Sequence, residues 1–224
     1  MMATTGVAAY IDHTILRPDA TAEQVEQLCN EARDYGFAAV CVPPCYVQLA
    51  VECLGPGTLV KVATVVGFPL GYQHNKVKLL ETHQAVADGA TEIDVVMNIS
   101  AFKSGRYQEV ENELSDLAKF CHLKEAELKV IIETALLSEE EIEKACALCV
   151  AAEADFVKTS TGFSTAGATV THVQLMRRVL PGRIKIKASG GIKTFADAQA
   201  LIKAGADRLG CSASIQIVEH EQNI

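Results

Sequence analysis

The feature that most constrains this chain is an alternation, run eight times, between short stretches rich in β-branched residues and longer stretches with helical apolar spacing. The strand-like stretches are AYIDHT from Ala9, FAAVCV from Phe37, LVKVATVV from Leu59, TEIDVVM from Thr91, LKVIIE from Leu128, DFVKTS from Asp155, IKIKAS from Ile184 and DRLGCS from Asp207. Between them, Thr21 with Gln24, Ser138 with Glu141, and Thr194 with Asp197 carry the spacing of a capping box at a helix start. Gly36, Gly89 and Gly205 stand where a helical run stops before a strand, and Glu153 holds the matching place before the sixth strand. A parallel neighbour can be reached only through a crossover, so strand then helix, eight times over, predicts a TIM (β/α)8 barrel. The 224 residues divided among eight units give 28 each, which predicts one barrel domain over residues 1–224.

Parity within the strands then sorts side chains. In IKIKAS, Ile184, Ile186 and Ala188 share one face and Lys185, Lys187 and Ser189 the other. Ile93, Val95 and Met97 oppose Glu92, Asp94 and Val96, and Val130 and Ile132 oppose Lys129 and Glu133. Helices cover the outside of a parallel barrel, so the apolar faces look outward and the charged faces inward. Five residues on from Gly36, Gly89, Glu153 and Gly205 lie Cys41, Asp94, Lys158 and Gly210, on the second, fourth, sixth and eighth strands. Alternate strands feed a common interior layer, so Asp94 and Lys158 are predicted to share one cavity.

Buried charges cost several kcal/mol each unless paired. The pattern reads either as a compensated ion-pair network without chemistry or as an active site at the carboxyl ends of the strands, where Asp94, Lys158 and Lys187 fall. A lysine is a nucleophile only when neutral. A second ammonium and loss of water both favour the neutral form. Either Lys158 or Lys187 is then able to attack a carbonyl, with Asp94 placed for proton transfer. TSTGF, SGG at 189–191 and GCSAS at 210–214 follow the last three strands and offer backbone N–H groups and hydroxyls, where barrels commonly hold a phosphate. Gly190 and Gly191 also fit a simple tight turn.

Composition narrows the partners. Twenty Lys and Arg against 28 Asp and Glu give a net charge of −8, which repels nucleic acid and anionic membranes, so an anionic ligand needs a locally built site. No apolar run is long enough to span a membrane and MMATTGVAAYID lacks the features of a secretory signal, so a cytoplasmic location is expected. Among the eight cysteines, Cys146 and Cys149 form a CxxC inside a helical run and read as buried small hydrophobes rather than a redox or zinc pair. The Glu-rich run at 139–143 reads as a helix start.

The segments IDHTILRPDAT, CVPP, VVGFPLG, TEIDVVMNI, KVIIET, DFVKTSTGF, IKASGGI and GCSA occur in order from Ile11 to Ala213. Together they resemble class I deoxyribose-phosphate aldolase in its compact bacterial form. The resemblance implies a Schiff-base nucleophile at Lys158, with Lys187 lowering its pKa and assisting proton transfer and Asp94 as the relay carboxylate. It implies a phosphate cradle at Gly162, Gly190, Gly191 and Ser212, a sugar-phosphate substrate, no cofactor or metal, and a homo-oligomer, dimer or tetramer. The reaction it implies is reversible cleavage of 2-deoxyribose 5-phosphate to glyceraldehyde 3-phosphate and acetaldehyde.

Phe163 stands where some family members carry a lysine, which puts the strength of phosphate preference in doubt, and Ala213 stands where some carry a second serine. Ser214 is left outside the site. Asp12 is assigned to substrate hydroxyls or to orienting Lys187, and His13 to hydrogen bonding at a strand end. Cys41 reads as a core thiol, with a site-lining role as the alternative. Two other readings are a sugar-phosphate isomerase with purely electrostatic lysines, and a catalytically dead sugar-phosphate sensor.

Overall fold

A computed structural model describes residues 6–221. Eight parallel strands pair in sequence order and close: β1 (Ile11–Thr14), β2 (Ala39–Val42), β3 (Lys61–Val66), β4 (Glu92–Val96), β5 (Glu127–Ile131), β6 (Phe156–Lys158), β7 (Lys185–Ser189) and β8 (Arg208–Cys211). Asp12 lies between Ala39 of β2 and Gly210 of β8, so β1 is the stave that closes the ring. The TIM-barrel architecture is as the alternation predicts.

Helices α1 (Ala22–Tyr35), α2 (Val47–Leu54), α3 (Asn75–Ala87), α4 (Ile99–Lys103), α5 (Tyr107–Leu123), α6 (Glu139–Ala151), α7 (Val170–Val179), α8 (Phe195–Ala204) and α9 (Ser214–Glu221) follow the strands. The capping boxes at Thr21, Ser138 and Thr194 start α1, α6 and α8. Gly36 and Gly205 end α1 and α8 with φ of 68° and 113°, and Glu153 takes φ 60° one residue after the cap of α6.

The sheet separates two interiors of opposite character. Outside it, Val40, Ile93, Val95, Val130, Val157 and Ile186 pack against the helices in one continuous apolar layer, each fully buried. Burial of this kind contributes ~1.5–3 kcal/mol per branched side chain. Inside the barrel, β1 and β4–β8 present Asp12, Glu92, Asp94, Lys129, Lys158, Lys187 and Arg208, all buried. On one side of the bore Cys41, Ala63 and Val65 pack together with Leu16 and Phe68. Lys185 has the inward parity but emerges at the amino-terminal rim, where it is exposed and pairs with Glu127 at 2.9 Å. The charged core therefore begins one layer higher than parity alone implies.

Candidate active site

The amino-terminal floor is Phe156, whose ring faces Lys129 and Arg208 at 5.7 and 5.8 Å. Above it, Lys129 donates to Glu92 Oε2 at 2.5 Å and to Asp94 Oδ1 at 2.9 Å. Arg208 donates to Glu92 Oε1 at 2.6 Å and to Asp12. Asp94 Oδ2 then receives two lysines at once, Lys158 and Lys187, each at 2.7 Å, and Lys187 also contacts Asp12. The register explains the meeting. Lys158 lies beside Lys187 across β6 and β7, and Asp94 beside Lys129 across β4 and β5. A methyl group on Gly210 would stand 3.2 Å from the Lys187 side chain, so this glycine gives the lysine room.

The two upper lysines differ in protonation. Burial, followed by the neighbouring Lys187 cation, pushes Lys158 below the ordinary lysine value against the opposing pull of Asp94. For Lys187, burial acts in the same direction but is outweighed by Asp12 and Asp94, which raise it. Asp94 is raised by burial and lowered more strongly by Lys129, Lys158 and Lys187, which hold it well below the carboxylate range. Asp12 lies at about 2, because Lys187, Lys129 and Arg208 overcome its burial. Of the two lysines, Lys158 is thus the amine more readily neutral.

Lys158 also has access. A cavity of about 540 Å³ opens over the carboxyl ends of the strands, and Lys158 is the one lysine among its lining residues. Gly162, Gly190, Gly191 and Ser212 line it too. Lys187 and Asp94 lie beneath, 1% and 0% exposed. Asp12 is likewise 0% exposed and absent from the wall. Asp12 contacts Lys187, the geometry that the orienting alternative requires. Cys41 is fully buried away from the wall, and burial pushes its thiol up.

The glycine loops are built by close approach. Gly190 has φ 84°, and a side chain there would meet Gly167 and Gly162 backbone at 3.0 and 3.3 Å. Ala168 N–H donates to the Ser189 and Gly190 carbonyls, which fastens the loop after β6 onto the loop after β7. Glu133, at the end of β5, adds a second fastening. It adopts φ 54°, and its Oε2 accepts the Thr161 hydroxyl at 2.5 Å and the Thr161 N–H at 3.2 Å. A left-handed non-glycine residue costs ~1–3 kcal/mol, so the carboxylate's two bonds to the loop have a strained backbone to offset.

His13 bridges Ser214 Oγ at 2.9 Å and Glu31 at 2.7 Å, a strand-end bonding role, and Ser214 is buried off the wall. Phe163 stacks edge-on against Phe68 at 5.2 Å. Sequence reasoning missed Arg208, which no parity argument on β8 exposed. It also missed Arg17, a cavity-wall cation paired with Asp19 at 2.8 Å. Lys129, Glu92 and Glu133 were recognisable as inward charges but not as partners. Among the described residues, no three His, Cys, Asp or Glu side chains group as a metal site. The three barrel carboxylates are each engaged by lysine or arginine nitrogens. In the CxxC, burial lifts the Cys146 thiol to about 12 and Cys149 well above its ordinary value.

The DeoC/LacD family aldolase model matches residues 6–219. The chain belongs to that family. It is 52% identical over 214 residues to deoxyribose-phosphate aldolase of Caldanaerobacter subterraneus subsp. tengcongensis, covering 95% of this chain and 92% of the relative. Among solved structures it is similar to QR15, an aldolase, with 43% identity and TM-score 0.91 over 100% of this chain and 97% of that one. It also resembles the tetrameric deoxyribose phosphate aldolase from Aeropyrum pernix, with 36% identity and TM-score 0.89 over 96% and 91%. Among the described residues, no helix is long and apolar enough to cross a membrane.

Proposed function

We propose that this family aldolase cleaves 2-deoxyribose 5-phosphate reversibly to glyceraldehyde 3-phosphate and acetaldehyde through a Schiff base on Lys158. The observation that carries the proposal is that one amine, Lys158, both reaches the cavity wall and is pushed toward neutrality by its surroundings. An isomerase with purely electrostatic lysines gains nothing from a neutral amine at the wall.

Neutral Lys158 attacks the C1 aldehyde of the open-chain sugar, and loss of water from the carbinolamine leaves a protonated imine. The C3 hydroxyl proton passes through a water to the Asp94 carboxylate, while Lys187 keeps its own proton and steadies the alkoxide that forms; Asp94 gives the proton up again when C2 of the enamine is protonated. The C2–C3 electron pair moves into the iminium, glyceraldehyde 3-phosphate departs, and an enamine remains. Protonation at its C2 and hydrolysis release acetaldehyde and return the lysine. The iminium is the electron sink, so this route needs no metal or cofactor. Asp94 keeps both amines in place through its Oδ2. Asp12 orients Lys187. The phosphate fits the N–H groups of Gly162, Gly190 and Gly191 and the Ser212 hydroxyl ahead of α9. Arg17 supplies a cation on the same wall, opposite in sign to the substrate.

We extend the same reading to a homo-oligomer, dimer or tetramer, on the strength of the tetrameric relative, and to a cytoplasmic location. Incubation with acetaldehyde and borohydride, followed by peptide mapping, is expected to give an ethyl adduct on Lys158. An active enzyme without that adduct overturns the Schiff-base reading.

A further inference from the structure

The barrel interior encloses one connected ion-pair cluster, and its charges can be counted. It holds three carboxylates, Asp12, Glu92 and Asp94, against four basic groups, Lys129, Lys158, Lys187 and Arg208. Each is buried, so net charge in the cluster is costly. Three cations balance three anions; the fourth basic group is one proton too many. Lys129 contacts all three carboxylates, and Lys187 and Arg208 two each, whereas Lys158 contacts Asp94 alone on an oxygen it shares with Lys187. Lys158 is the least compensated member, and the one at the cavity wall.

We infer that the lower layer, Lys129, Glu92 and Arg208, is a positioning device for the Lys158 nucleophile: by fixing the count of opposite charges beneath it, this layer makes Lys158 the member that gives up its proton. The inference deepens the Schiff-base reading and rests on it. The groups acting directly on Lys158 are Asp94 from β4, Lys187 from β7 and the Cys41 thiol from β2; Asp12 from β1, Glu92 from β4, Lys129 from β5 and Arg208 from β8 join the same cluster through their ion pairs with Asp94, with Lys187 and with one another. The neighbouring residues of β3, Ala63 and Val65, bring no charge. The direction of every shift agrees: Lys129, Lys187 and Arg208 are raised and Lys158 alone of the four is lowered.

The test uses charge changes in the lower layer, out of reach of substrate. Glu92→Gln leaves two anions against three cations around Lys158 and moves the acid midpoint of Lys158 trapping by acetaldehyde and borohydride to lower pH. Lys129→Met leaves three anions against two cations and moves it to higher pH. The displacement expected is about one pH unit or more in each case. The double variant restores balance and returns the midpoint to the wild-type value, which a merely structural role would not do. Shifts of the same sign, or none, overturn the inference while leaving the Schiff base intact; absence of any adduct in the wild type overturns the reading beneath it.

Should the single variants fail to fold, urea unfolding of wild type against Lys158→Met decides. Lys158 in the unfolded chain is protonated below pH ~10.4, so a folded state that keeps it neutral makes wild-type stability, relative to the variant, rise with pH up to that value. A flat difference from about pH 6 to pH 10 overturns the inference.

Discussion

Two fully or nearly fully buried lysines in this molecule invite comparison. Lys78, on α3, donates to Glu113 of α5 and to the Val96 carbonyl, both at 2.7 Å, in the layer between strands and helices. Lys158, on β6, donates to Asp94 at the same distance inside the barrel. Burial pushes both lysines below their ordinary value, and an acidic partner pulls each back. Yet the Glu113 carboxylate meets no second cation within ion-pair distance among the described residues, its Oε1 taking only the Asn98 N–H besides Lys78, and Lys78 is not among the residues that line the cavity over the strands. Lys158 shares an oxygen with another lysine and opens onto a cavity of about 540 Å³. A lowered amine is therefore not by itself a sign of chemistry. What distinguishes the lysine proposed as nucleophile is an uneven count of opposite charges together with a place on the cavity wall.

The comparison can be broken most decisively at the amines themselves. Lys158→Met is expected to remove aldol cleavage by ~10⁴-fold or more while the protein still folds, measured by coupled assay and circular dichroism. Lys187→Leu comes next. It takes a cation from beside Lys158, so cleavage falls by ~10²–10⁴-fold and the acid limb of the rate profile moves to higher pH. An unchanged profile would deny Lys187 its electrostatic role.

Lys78→Met probes the other member of the pair. It strands Glu113 without its cation and is expected to cost ~3–5 kcal/mol in urea unfolding, with kcat of the folded fraction close to wild type. Loss of kcat without loss of stability would erase the distinction drawn above. The smallest effect is expected at the glycine cradle. Gly190→Ala crowds Gly162 and Gly167 at a positive φ, and KM for the phosphorylated sugar should rise on the order of tenfold, with less change for unphosphorylated deoxyribose.

Much of the barrel and part of the site were readable from the chain because strands impose a two-residue period. Parity placed Lys187 and Asp94 inward, and a fixed count from each helix stop put Asp94 and Lys158 at one height. What stayed hidden was pairing. Arg208 meets Asp12 only because β8 closes on β1, 196 residues away in sequence. Glu92 joins Lys129 and Arg208 through registers that local patterns do not encode. Glu133 was recognisable as inward, but its grip on Thr161 depends on a left-handed backbone that nothing in KVIIET announces. Lys78 and Glu113 lay in helical patterns, where a buried pair looks like two solvated charges.

In the proposed reaction Lys158 is the amine that becomes covalently bound. Borohydride trapping with acetaldehyde across a pH series, read by peptide mass mapping, tests it most directly. The expected result is an ethyl adduct confined to Lys158, with Lys187 and Lys78 unmodified and no adduct in Lys158→Met. An adduct on Lys187 instead, or an enzyme that cleaves the sugar phosphate with Lys158 never trapped, would contradict it.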